Sequence, residues 1–179
     1  MKPTVLGIAV AVTAWTLSGC GTPGAVAGGN VTLLATNSAE YLDKISSQPT
    51  VTEAQALEGI MLLLDQQQKL TFAECVKLLK DRHIVSSQWD FRADRPMTRG
   101  KVAYMIYQAC GMKGGLTLTL TGPSQRYCLR ELQYRGMMAP GLPYNPVTGM
   151  EYVAILARAD ELRRTGRVSP VMLQEGLSR

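Results

Sequence analysis

One histidine, four cysteines and fourteen carboxylates are the chain's stock of groups for nucleophilic, acid–base or metal chemistry. A nucleophile needs a base in reach, a metal needs ligands at short fixed spacing, and a phosphate needs a glycine-rich turn ahead of a helix. The sequence has no Gly-x-Ser-x-Gly, no paired metal-ligand spacing, no phosphate loop and no cysteine with an obvious catalytic partner. His83 falls at the end of a helical pattern whose second copy has Gly136 in that place, which predicts a turn or capping role. Glu74, Asp81 and Glu131 fall on the polar sides of helical patterns and read as solvated charge. These residues predict a protein that is not an enzyme and holds no cofactor or metal.

The fourth cysteine stands apart. Lys2 is followed by an apolar run from Val5 to Leu17 and then by Leu17-Ser18-Gly19-Cys20. The run is too short to span a bilayer and has the proportions of a secretory signal. Leu-Ser-Gly-Cys resembles the bacterial lipobox, which implies cleavage after residue 19 and lipid attachment at Cys20. The acyl chains would hold the protein to a membrane it does not cross. By the same resemblance Gly21, in place of an aspartate, implies the outer membrane of a diderm bacterium, facing the periplasm. Residues 20–30 are rich in Gly, Ala, Pro and Thr and read as a flexible tether.

What remains is long enough for one domain burying roughly two-thirds of its unfolded-chain surface. The chain's net charge of +5 is dispersed, compatible with an anionic wall polymer or lipid head group, and argues against nucleic acid. Cys75, Cys110 and Cys128 are an odd number in apolar helical surroundings. They are predicted to be small buried hydrophobes, with one disulfide as the alternative.

An internal repeat supplies the elements. Val51-Thr52, Met97-Thr98 and Val147-Thr148 align, with the threonines 46 and 50 residues apart. Apolar residues follow each at helical spacing: Ala56, Ile60, Leu63 and Leu64; Val102, Met105, Ile106 and Ala109; Tyr152, Ile155, Leu156 and Ala159. Each threonine is predicted to be an N-cap, with Gln55 and Glu151 placed to complete capping boxes. Pro96 and Pro146 keep a preceding helix from running through the boundary. A second kind of helix comes before two of these starts: Phe72, Cys75, Val76 and Leu79 correspond to Gln125, Cys128, Leu129 and Leu132 at a constant offset of 53. Ala39–Ile45 is its degenerate first counterpart. The reading is a mainly all-α domain over 31–165, made of three helix-loop-helix units, with a tail at 166–179. Leu116–Thr121 alternates with period two and predicts a short strand, paired with Val31–Leu34 in a two-stranded ribbon.

The stretch 91–112, FRADRPMTRGKVAYMIYQACGM, resembles the second half of an S-layer homology motif. There a phenylalanine and a proline-bearing turn lead to a Thr-Arg-Ala-Glu-like step and an apolar helix. The resemblance covers roughly residues 38–163 and implies a pseudo-threefold helical bundle. The other units depart from the pattern: Glu53 and Gly149 stand where the arginine would be, and Lys101 replaces the family's glutamate. What the resemblance implies is noncatalytic binding to a cell-wall polysaccharide, through Arg99 and Thr98 at a helix start that favours anions, with Trp89, Arg92 and Asp94 around them. The alternative is an envelope protein-interaction module that has lost glycan binding and presents Tyr134, Tyr144, Tyr152 and Met137-Met138.

Overall fold

Hydroxyl-bearing caps set where the helices begin. The computed structural model describes residues 32–33, 38–66 and 68–168. Its elements run β1 (Thr32–Leu33), α1 (Ser38–Ser46), α2 (Glu53–Leu63), β2 (Leu70–Thr71), α3 (Phe72–Asp81), α4 (Arg99–Ala109), α5 (Leu116–Thr121), α6 (Gln125–Tyr134) and α7 (Gly149–Thr165). The fold is mainly all-α. The expected leader, the lipidated Cys20, the tether and residues 169–179 of the tail lie outside the described residues.

Thr52, Thr98 and Thr148 cap α2, α4 and α7 in extended backbone, each hydroxyl accepting from the N–H three residues on. At α2 the box is complete: Gln55 Oε1 accepts from Thr52 N–H at 2.9 Å. Thr71 and Glu74 form the same box at α3, which was not anticipated from sequence. Glu151 does not fold back on Thr148 as expected, because its carboxylate turns to Arg99. Left-handed residues end the helices: Asp65, Gly111 and Gly166 after α2, α4 and α7, and His83 and Gly136 after α3 and α6. His83 therefore has the turn role predicted for it.

The residue before each threonine is buried completely, and the three share one set of backbone bonds. Val51 N–H donates to Val147 O at 2.9 Å, Val147 N–H to Met97 O at 3.0 Å, and Met97 N–H to Val51 O at 2.8 Å. This is a closed ring at the centre of the molecule. The first amides of each capped helix then donate to the turn ahead of another capped helix. Glu53 and Ala54 reach Arg95 O and Ala93 O, Arg99 and Gly100 reach Asn145 O and Pro143 O, and Gly149 reaches Gln48 O. Buried amides that a helix start leaves over are thereby paired. The outer helices follow the same order, α3 packing on α2, α6 on α4 and α1 on α7.

Close approach at two places depends on glycine. A Cβ on Gly149 would lie 1.7 Å from Ile45 O, so only hydrogen fits where α7 meets the end of α1. A Cβ on Gly59 would meet the hydroxyls of Tyr152 and Tyr41 at 2.6 and 2.7 Å. Those hydroxyls donate to carbonyls of the same helix, Tyr152 to Ala56 O and Tyr41 to Gln55 O.

The ribbon exists with a different partner. β1 pairs antiparallel with β2, Thr32 opposite Thr71 and Leu33 opposite Leu70. Leu116–Thr121, expected as its partner strand, is helical. Leu118 is buried and Leu120 is 75% exposed, so alternation does not divide the segment into a dry and a wet face. With β1 paired elsewhere, its backbone bonds close locally, Thr119 N–H to Gly115 O and Gly122 N–H to Leu118 O. Cys75, Cys110 and Cys128 are free thiols, which leaves the disulfide alternative unmet.

Candidate functional site

The first turns of the capped helices carry the charged residues that drew attention in the sequence, and the fold distributes them over two junctions. At the first, Glu53 on α2 is 1% exposed and receives four donors. Arg95 approaches in a fork, Nε to Oε1 at 2.9 Å and Nη2 to Oε2 at 3.0 Å. Arg92 N–H donates to Oε2 at 2.7 Å, and Lys101 Nζ to Oε1 at 2.5 Å. Such a carboxylate is tolerated in the interior because every lone pair that faces the protein is used. Lys101 also lies over two rings, 4.8 Å from the Phe91 centroid and 5.7 Å from that of Trp89.

At the second junction Arg99, on α4, is 8% exposed. Its Nη1 stands 2.5 Å from Glu151 Oε1 on α7, an ion contact without hydrogen-bond alignment, and its Nη2 donates to Ala139 O. Burial raises the Glu151 carboxyl above the usual carboxylate range, and Arg99 pulls it partway back. Gly141 lies against the guanidinium, where a Cβ would be 2.9 Å from Nε.

The two junctions are built alike with the charges exchanged. The first residue of one capped helix meets the third residue of the next: Glu53 with Lys101, then Arg99 with Glu151. Lys101 and Glu53, read from sequence as departures from the motif, are each other's partner. The pairing is not legible in the sequence, because the two positions lie 48 residues apart and only the fold brings them together. The third junction has Gly149 in the first position.

Arg99 and Trp89 were expected in one ligand site, and they sit at different junctions. Arg99 is already held by an internal carboxylate, because Glu151 reaches it from the first turn of α7. The Thr98 hydroxyl is engaged as the α4 cap. Trp89 is half-buried, its ring edge-on to Tyr104 at 5.0 Å and to Phe91 at 6.0 Å. Arg92 and Asp94 have exposed side chains on the same turn, so this turn over the Glu53 cluster keeps Trp89, Arg92 and Asp94 together and leaves Arg99 and Thr98 out.

The residues of the alternative reading also separate. Tyr134 and Tyr144 are 88% and 70% exposed, whereas Tyr152, Met137 and Met138 are core. Tyr152 is buried by its bond to α2, and the two methionines by the tight turn after α6 in which both amides donate to Leu132 O.

Among the described residues the three thiols are held away from the thiolate at neutral pH. Burial pushes Cys75 and Cys128 up to about 12 and Cys110 to about 11, far from thiolate formation. Among the described residues no group of three His, Cys, Asp or Glu side chains is placed to hold a metal, and no helix is long and apolar enough to cross a membrane. No protein-family model, no curated protein and no solved structure matches this chain.

Proposed function

We propose that the protein is a noncatalytic, lipid-anchored component of the bacterial cell envelope, exported and facing the periplasm from the outer membrane. Its domain is a divergent S-layer homology bundle with pseudo-threefold order, kept as a scaffold for contact with another envelope protein. The leader and Leu17–Cys20 support the anchoring. Three threonine-capped helices and the closed ring of Val51, Met97 and Val147 support the bundle.

One observation carries the choice of scaffold over glycan binder at the motif arginine: the two terminal nitrogens of Arg99 already face Glu151 Oε1 and Ala139 O. A ligand carboxylate would have to displace a covalently tethered one, at an effective concentration no soluble sugar matches. A second reading, glycan binding at the turn of Trp89, Arg92 and Asp94, is favoured by the exposure of Arg92 and Asp94 beside the half-buried ring of Trp89.

Sedimentation with purified wall polymer separates the two. The scaffold reading expects the protein to stay in the supernatant, with Arg99→Ala no different. Pelleting that Trp89→Ala or Arg92→Ala reduces at least about tenfold would replace it with the second reading.

A further inference from the structure

Charge is distributed unevenly among the parts of the fold. Residues 38–66 carry five carboxylates against Lys44 alone, whereas residues 114–168 carry seven arginines, four carboxylates and no lysine. On α6, Arg126, Arg130 and Tyr134 stand four apart and share one row of the helix surface, and all three are exposed. The neighbouring row faces the 139–143 turn. Gln133 Nε2 donates to Ala139 O at 3.3 Å and to Gly141 O at 3.1 Å, and both Pro143 and Gln125 close on Gly100. The turn thus runs back along α6 beside the row of Gln125 and Gln133, and it exposes Leu142 and Tyr144 by 50% and 70%. Neither Arg126 nor Arg130 has a carboxylate within 4.0 Å among the described residues.

Arginine and tyrosine without lysine is the composition of a protein interface. The complementary surface is in the same chain. On α1, Glu40 and Asp43 are exposed, three residues apart, with no cation within 4.0 Å among the described residues. Along a helix the arginines are separated by about 6 Å and the acids by about 4.5 Å, close enough for two ion pairs at once between adjacent helices.

We infer that the α6 face, Arg126, Arg130 and Tyr134 with Leu142 and Tyr144, docks α1 of a second copy of this chain. The inference rests on the scaffold reading and names its partner. The two faces differ, so the contact is head-to-tail and builds a ring or a filament. Ion pairing between the poles sets the register, and the tyrosines and Leu142 supply the desolvated area.

The test uses the full chain in cells with a photo-crosslinking phenylalanine derivative in place of Tyr134. The expected product is a ladder at whole multiples of the chain's mass that contains only this chain. Arg126→Glu with Arg130→Glu should lower its yield about tenfold or more, and adding Glu40→Arg with Asp43→Arg should restore it. Restoration shows that the reversed variants are folded. A ladder that ignores the reversals, or a crosslink only to a different protein, overturns self-docking and leaves the scaffold reading standing. No protein crosslink from position 134 or from position 144 overturns both.

Discussion

At the scale of single residues, the charged positions of the capped helices pair with one another across the junctions. Glu53 is 1% exposed and sits among Arg92 N–H, Arg95 and Lys101. Removing its charge leaves Lys101, whose side chain is 15% exposed, without its buried counter-ion, while Arg95, 37% exposed, keeps only the exposed Asp90 at 3.8 Å. Breaking a buried pair costs about 3–5 kcal/mol, and screening of the half-exposed Arg95 brings the expectation to about 3 kcal/mol. Glu53→Gln should therefore lower urea stability by about that amount, and Lys101→Met in the same background should recover part of it. If the double variant is as unstable as the sum of the singles, Glu53 and Lys101 are not coupled. The sequence made position 99 conspicuous as the lone motif arginine. Its occupant was hidden, because Glu151 three residues after Thr148 already had a plausible local use in a capping box. A short-range rule explained the residue well enough to conceal the long-range contact that wins.

At the scale of elements, the capped helices were legible because their information is local: a hydroxyl, a proline two residues earlier, and apolar residues at helical spacing. Leu116–Thr121 was not. Its Leu-Thr alternation fits a strand, but a strand also needs an edge to pair with, and the position of that edge is tertiary. β2, at Leu70–Thr71, took the place at β1. The helix ends offer a sharper test of local reasoning, because His83 and Gly136 hold equivalent left-handed positions, φ 56° and 70°. A side chain there costs about 1–2 kcal/mol, offset in part by the greater freedom that glycine has in the unfolded chain. His83→Gly should stabilise the protein by about 0.5–1 kcal/mol and Gly136→Ala should destabilise it by about 1 kcal/mol. Thermal melting of both variants checks the pair. A His83→Gly protein that melts lower would mean the imidazole has a task that its backbone geometry does not account for.

At the scale of the whole molecule, no helix-loop-helix unit closes its own hydrogen bonds. Val51, Met97 and Val147 each donate to one unit and accept from the other. The starts of α2, α4 and α7 draw their amide partners from the turns of their neighbours. Taking away one unit would leave buried amides and carbonyls unpaired in both of the others, at about 1–3 kcal/mol each, against a total stability of only about 5–15 kcal/mol. The three units must therefore fold together, although their repeated sequence invites the idea of three modules. Trp89 offers a local reporter, since the only other tryptophan is Trp15 in the expected leader. In the chain from Cys20 onward, urea unfolding followed by Trp89 fluorescence should coincide in midpoint with the loss of helix seen by far-ultraviolet circular dichroism. Deletion of residues 38–50, which removes α1 and the Gln48 carbonyl that Gly149 needs, should abolish the transition altogether and not shorten it by a third. A fluorescence midpoint displaced from the helical one would show that the unit around Trp89 unfolds by itself, and the ring would then be a packing contact and not the bond that makes three units one domain.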